Sequence, residues 1–541
     1  MPKTEEMRMK LNLESIKNGA FDGTDYLLPR FDIAAMTKET KENPTWLHFG
    51  AGNILRAFPC VLCQKLLEAG ETGRGMIVVE SYDEEIIDKA FAPYDNLCLA
   101  VSLKSDGTVE KRVVASVAQA LGYGANKERV REIFTSSSLQ MVSMTITEKG
   151  YSVLDSQGNP LSYCARDFAS MEAPVSIMGI LAKLLHARYR AGKKPVAMVS
   201  MDNCSHNGTI LYTGVHAIAQ SWADKGLVEP GFLEYLDDPR LVSFPWSMID
   251  KITPRPAQEV IELLEKDGFQ GAQVSVTGKN TYVSGMVNAE ECEYLAIEDW
   301  FPNGRPPLEK AGVLFGSRET VDRIEKMKVC TCLNPLHTCL AIFGCMLGHT
   351  RIYEEMKDAT LSEMIRRIGY AEGMPVVVDP GIISARRFID EVLNLRLPNP
   401  FMPDTPQRIA CDTSKKLPVR FGETLKAYLK RGEKDLSFLT FIPLVFAGYA
   451  RYLTGIGDDG EPFALSPDPG LPALTPLVEG FSLGKLFDTE RLHPLFANAA
   501  IFGVDLYTCG LGEKAEGMFA EMNAGNAAIR RTIDRYLAAN R

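Results

Sequence analysis

The stretch Glu325-Lys326-Met327-Lys328 runs through Val329 to Leu333 into Asn334-Pro335-Leu336-His337. Glu325 and Lys328 stand three apart, as do Asn334 and His337, so on a helix each pair shares a face. A lysine, an amide and an imidazole are the groups that interconversion of an alcohol and a carbonyl requires. One exchanges a proton with the substrate oxygen, one donates a hydrogen bond to the developing alkoxide, and one holds the substrate. Taken singly, a helix lysine is more often solvated and a histidine in an apolar run more often packed in a core. Only the combination carries weight.

Two further clusters have chemical content. Met198 to Gly208 reads MVSMDNCSHNG, a strand running into a polar loop. It puts Asp202, Asn203, His206 and Asn207 at the strand's carboxyl end, where open α/β sheets bind ligands; good turn formers account for the same composition. Pro403 to Arg420 reads PDTPQRIACDTSKKLPVR, with Arg408 and Lys416 eight apart and Asp412 and Ser414 between them. A guanidinium and an ammonium converging on one pocket suit a carboxylated or polyhydroxylated substrate, whereas on a surface loop they are ordinary solvated charges.

These residues need elements to position them. Thr45 to Phe49 reads as a short apolar strand, followed at once by Gly50-Ala51-Gly52, a helical pattern from Ile54 to Ala69, and a second strand, Met76 to Val79, ending at Glu80. Strand, tight glycine turn, helix, strand and acid form the opening of a dinucleotide-binding fold. Gly50 permits the turn, Gly52 lets a pyrophosphate approach the backbone, and Glu80 accepts from ribose hydroxyls while repelling a 2′-phosphate, which favours NAD over NADP. Leu55 occupies the place of the third glycine, with Arg56 after it, and a methyltransferase has a similar loop and acid. Further strands are expected at Val113 to Val117, Leu139 to Ile146 and Pro195 to Ser200, with helix over Pro174 to Ala191. This alternation means a mainly parallel sheet. From about Glu319 strand signals fade and helical patterns lengthen (Thr320 to Cys330, Pro335 to Leu347, Leu361 to Tyr370, Gly381 to Leu393, Arg420 to Arg431). The expected fold class is α/β, an N-terminal Rossmann-type dinucleotide-binding domain over 1–315 with a mainly α-helical C-terminal domain over 316–541.

At 541 residues the chain exceeds one compact core, and 45% hydrophobic with 24% charged residues is the balance of a globular protein. A net charge of -10 without a run of Lys and Arg points away from nucleic acid as a partner. Met1 to Asn18 mixes charges and lacks the apolar core of a secretory signal. Leu436 to Ala450, interrupted by Pro443, and Leu333 to Leu347 fall short of the ~20 apolar residues of a membrane span, so no membrane partner is expected. The twelve cysteines show no framework spacing, which suggests free thiols in the cytoplasm. Cys60 and Cys63 form a CxxC inside a helical pattern, and Cys330 and Cys332 a CxC. Both read as packed faces, and no metal is expected.

Five segments in order resemble the polyol-specific long-chain dehydrogenase (mannitol dehydrogenase) family, including its hexuronate-reducing branches. They are WLHFGAGNILRAF at Trp46 to Phe58, SMTITEKGY at Ser143 to Tyr151, SMDN at Ser200 to Asn203, FPWSMIDKITP at Phe244 to Pro254 and PDTPQRIACDTSKK at Pro403 to Lys416. The resemblance implies an NAD-dependent, metal-independent oxidoreductase. Lys328 would be its acid/base, Asn203 and Asn334 the amide pair on the reacting oxygen, His337 the residue orienting substrate, and Glu325 a proton outlet. Arg408, Lys416 and Asp250 would bind substrate. Phe49, Gly50, Ala51, Gly52, Asn53, Ile54, Arg56, Glu80, Thr147 and Glu148 would bind NAD(H). Relatives usually place four residues between the lysine and the asparagine; here Val329 to Leu333 make five, so either the helix bulges or Lys328 is not the equivalent. The stretch PQRIACDTSKK running into VRFGETLKAYL lies nearest the branch that reduces D-fructuronate to D-mannonate, with tagaturonate reduction and mannitol oxidation as alternatives. A non-catalytic NAD(H)-binding sensor is the alternative of another class. A free lysine titrates near ~10.4, so an amine serving as base near neutrality must be biased toward its neutral form by roughly 4 kcal/mol.

Overall fold

The computed structural model describes residues 9–485 and 488–540. The chain divides into two compact units, Met1–Lys104 with Thr108–Asp322, and Arg323–Arg541 with Ser105–Gly107. The division therefore lies between Asp322 and Arg323, a few residues beyond the boundary read from the sequence.

Six parallel strands form the central sheet of the first unit: β1 (Trp46–Phe49), β2 (Met76–Glu80), β3 (Val117–Gly122), β4 (Met141–Met144), β5 (Val196–Ser200) and β6 (Val242–Ser243). Their order is β3-β2-β1-β4-β5-β6. The order reverses between β1 and β4, and at such a switch point doubly wound sheets open a crevice beyond their carboxyl ends. Both faces are covered. Met76 and Val78 join one apolar cluster with Trp46, while Ile77 and Val79 join another with Leu47 and Phe49. That is why the strands read as unbroken apolar runs rather than as alternation.

Two expectations need correction. The helix expected over Ile54 to Ala69 is two, α1 (Asn53–Ala57) and α2 (Pro59–Glu68), broken at Phe58 with φ −132° and ψ −72°. The ring of Pro59 disfavours α backbone at the residue before it. The strand expected over Val113 to Val117 belongs to two sheets. Val109–Val114 pairs antiparallel with Cys98–Leu103 in a four-stranded sheet completed by Met286–Glu290 and Tyr26–Leu27, whereas β3 starts at Val117. Ser116 marks the change, its carbonyl accepting from Met76 N–H at 2.8 Å and its hydroxyl donating to the Cys60 carbonyl at 2.7 Å. In the same unit α3 (Ile177–Arg190) and α4 (Asn207–Asp224) pack together.

Among the described residues the last strand is Leu314–Gly316, and helices follow. α5 (Arg318–Met327) passes through a π turn at Lys328–Cys332 into α6 (Asn334–Met346). This continuous run of 29 residues is long and apolar enough to cross a membrane, longer than the sequence reading allowed, but 78% of its apolar window is buried in the protein. It is a core helix. The site segment carries α7 (Pro406–Ile409) and α8 (Thr413–Leu417), and the wholly buried α9 (Phe441–Tyr452) packs on α10 (Gly512–Met522). Pro443 sits in the first turn of α9, where its missing N–H costs nothing.

Candidate active site

In the first unit the candidate residues begin at the switch point. Gly50 follows β1 with φ +100°, and a Cβ there would lie 2.1 Å from the Thr145 carbonyl oxygen at the end of β4. Only glycine fits. Gly52 caps α1 in an extended conformation, and a Cβ on it would meet nothing within 4 Å. The protein leaves that space open, so the glycine suits the approach of a pyrophosphate to the backbone. α1 is a single five-residue turn, so its dipole contributes less than a long helix would.

Two residues expected to touch a cofactor also hold the protein's own loops. Arg56 is 1% exposed. Its guanidinium donates to the Ser284 carbonyl at 2.6 Å and to Asn53 Oδ1 at 2.9 Å, which braces the loop from behind. Glu80 is buried at the end of β2, where Oε2 accepts from Ala51 N–H at 2.8 Å and Oε1 from the N–H groups of Ser81, Tyr82 and Asp83. The carboxylate ties the loop after β1 to the loop after β2. A sequence pattern puts an acid at the strand end but cannot say which way it turns.

Asp202, Asn203, His206 and Asn207 do lie beyond β5, with separate tasks. Asp202 Oδ2 accepts from Ile146 N–H at 2.8 Å and from the Tyr151 hydroxyl, latching SMTITEKGY, with its Thr147 and Glu148, to the end of β5. Burial raises its carboxyl to about 6. Tyr151 also meets Ser200 Oγ at 2.7 Å, a partnership nothing in the sequence announced. Asn207 is fully buried and bonds Ser200, Asp202 and Ser247. His206 stacks on Trp246 at 4.0 Å. Of the acid and two amides, only Asn203 stays exposed at the strand end. Asp250 is buried at the end of the strand Ser247–Asp250. His48, unremarked in the sequence, is held between Ser143 Oγ at 2.6 Å and Thr145 Oγ1 at 2.9 Å, and burial keeps it neutral down to about 3.

In the second unit the candidate residues lie on helices and turns. Leu333 N–H donates to the Lys328 carbonyl at 3.1 Å, the i→i+5 bond of a π turn. A π turn accommodates one extra residue without breaking the rod, so five residues between Lys328 and Asn334 fit where four would in an uninterrupted helix. Lys328 is 5% exposed, whereas Lys326 faces solvent and Glu325 is half-buried. Asn334 and His337 occupy the first turn of α6. His337 Nε2 lies 3.6 Å from Asp404 Oδ2. That is too long for a hydrogen bond, and among the described residues Nε2 has no hydrogen-bond partner. Burial outweighs the attraction of Asp404 and, helped by Arg420, Arg408 and Arg396, lowers the imidazole to about 4, so the pair is not ionic at neutral pH.

Arg408 pairs with Asp404 across one turn, and its side chain is 63% exposed. Lys416 donates to the Ile409 carbonyl at 3.0 Å, and burial, then Arg420, push its ammonium downward. Asp404 was missed in the sequence, although it opens the very segment quoted for Arg408. Cys60 and Cys63 are both buried on α2, and burial pushes the Cys63 thiol up to about 12.

Comparison with known proteins places this arrangement. Residues 44–310 match the mannitol dehydrogenase Rossmann domain and residues 320–515 the mannitol dehydrogenase C-terminal domain. The chain is 49% identical to D-mannonate oxidoreductase of Thermotoga maritima, over 97% of this chain and 98% of that protein. Among solved structures it resembles a D-sorbitol dehydrogenase in substrate-free form, with TM-score 0.79 and 25% identity over 96% of this chain and all of that one. Mannitol 2-dehydrogenase of Pseudomonas fluorescens, in complex with NAD and D-mannitol, shares the fold at TM-score 0.68 and 24% identity, covering 98% and 100%. The glycine loop at the switch point and the helical second unit are thus those of the mannitol dehydrogenase family, to which this chain belongs.

Proposed function

We propose that this protein is a cytoplasmic, NAD-dependent oxidoreductase that interconverts D-fructuronate and D-mannonate. The observation that carries the substrate class is the full-length, 49% identical relative named D-mannonate oxidoreductase. Bound NAD(H) would take or supply the hydride, and Gly50, Gly52, Asn53 and Ile54 would hold its pyrophosphate.

Lys328 is the proton-transfer group. It is buried, it precedes a π turn, and it lies on one continuous helical run with Asn334 and His337. In ketone reduction the Lys328 ammonium gives its proton to the carbonyl oxygen; in alcohol oxidation the neutral amine takes it back. Asn203 and Asn334 donate amide N–H to that oxygen, favouring the charge that develops there. A neutral His337 donates to or accepts from a substrate hydroxyl without adding a second cation. Glu325, half-buried one turn before Lys328, passes the proton to solvent. No metal is needed for these steps.

Initial rates with NADH on D-fructuronate, D-tagaturonate and D-fructose test the reading. D-Fructuronate should be reduced at least tenfold more efficiently than either other ketose. A preference for D-tagaturonate or D-fructose overturns the assignment, and NADH binding without turnover on any of them makes the protein a sensor.

A further inference from the structure

Arg420 lies in the π turn Pro418–Gly422 that continues α8. Its Nη1 donates to the Asn334 carbonyl at 3.5 Å and to Thr338 Oγ1, which sets the guanidinium against the first turn of α6, the turn that bears Asn334 and His337. Among the described residues no carboxylate pairs with it. Burial alone lowers it to about 10, with no opposing charge. Its cationic neighbours are otherwise engaged, Arg408 with Asp404 and Lys416 with a backbone carbonyl.

A half-buried guanidinium with no counter-charge is costly to maintain, since desolvation is offset only by two neutral acceptors. Lys416 and His337 both feel its field, so the positive potential is concentrated beside the proposed substrate groups. A guanidinium also presents two parallel N–H donors that match a carboxylate, and neither a hydroxyl nor an amide does so equally well. We propose that Arg420 is the residue that reads the substrate's carboxylate and so separates a sugar acid from the corresponding polyol. This rests on the hexuronate reading above and goes beyond it by assigning acid recognition to Arg420 instead of Arg408 or Lys416.

Calorimetry with D-mannonate and with its neutral amide, D-mannonamide, in the presence of NADH, where alcohol and cofactor are both reduced and cannot react, tests the assignment without turnover. The unsubstituted enzyme should prefer the acid by roughly thirtyfold, about what a charge-assisted hydrogen bond provides. Arg420→Gln should bind the two alike, with the affinity for the amide retained, and Arg420→Lys should keep part of the preference. Retained preference in Arg420→Gln, or equal loss of both ligands in both variants, overturns the assignment to Arg420. Should the unsubstituted enzyme itself show no preference, the hexuronate reading falls, and this assignment with it.

Discussion

At Gly50 a carbonyl oxygen 2.1 Å from an imagined Cβ dictates the residue type, and the backbone of two strands does the rest. At His337 nothing so local operates. Its state is set by burial and by Asp404, Arg396, Arg408 and Arg420, which arrive from 59 to 83 positions further along the chain. The first region is a constraint of shape on the main chain; the second is a balance of charge among side chains from separate segments of the chain. Shape fails abruptly when violated, whereas a charge balance shifts by degrees, so the two regions should respond differently to substitution.

The largest effect should come from Lys328→Ala. If the helical unit supplies the proton and the other unit holds the cofactor, kcat falls by on the order of 10³-fold, while the NADH dissociation constant changes less than threefold. Stopped-flow reduction rates and fluorescence titration of NADH separate the two. Comparable loss of cofactor binding would mean that the division of labour between the regions is wrong.

Next comes Gly50→Ala. A side chain forced to φ +100° against the Thr145 carbonyl should cost at least about 3 kcal/mol and lower the thermal midpoint by several degrees or prevent folding. Gly52→Ala is its control, because a Cβ there meets nothing within 4 Å. Stability should stay within about 0.5 kcal/mol, and NADH should bind at least tenfold more weakly. A Gly52→Ala protein that binds NADH normally would remove the pyrophosphate from this loop.

The same contrast explains what could be read in advance. Strand, glycine turn and acid are local, so the turn at Gly50 and the order of alternating elements were legible. Where Glu80 and Arg56 point was not. Both side chains are held by groups that the pattern does not include: the N–H groups of Ser81 to Asp83 for one and the Ser284 carbonyl, 228 positions away, for the other. Val113 to Val117 looked like one strand because two buried strands in different sheets meet with only Ala115 and Ser116 between them. In the helical unit the spacing of Glu325, Lys328, Asn334 and His337 could be counted, and the surplus residue was visible as a count, but only the structure turns it into a π turn. Asp404 and Arg420 were invisible as partners of α6, since their nearness to Asn334 and His337 is a product of tertiary packing.

The smallest effect is the most diagnostic of charge balance. His337 is lowered from its ordinary 6.5 to about 4, first by burial, then by the three guanidinium groups acting against Asp404. The unfolded chain therefore takes up a proton near 6.5 that the folded one refuses until about 4. The contribution to stability is full above 6.5 and is lost as pH falls through that window, by up to about 3 kcal/mol. At pH 7 the imidazole is neutral in both states, so no inflection near 6.5 in kcat/KM belongs to it. Ring-labelled histidine spectra, with His337→Asn to identify the resonance, should show titration near 4. Arg408→Gln removes one of the opposing cations and leaves Asp404 without its ion-pair partner, which should raise that midpoint. Asp404→Asn removes the carboxylate's attraction for the proton and should lower it. If both variants left the midpoint unmoved, burial alone would govern the imidazole, and the second region would, like Gly50, be a matter of shape.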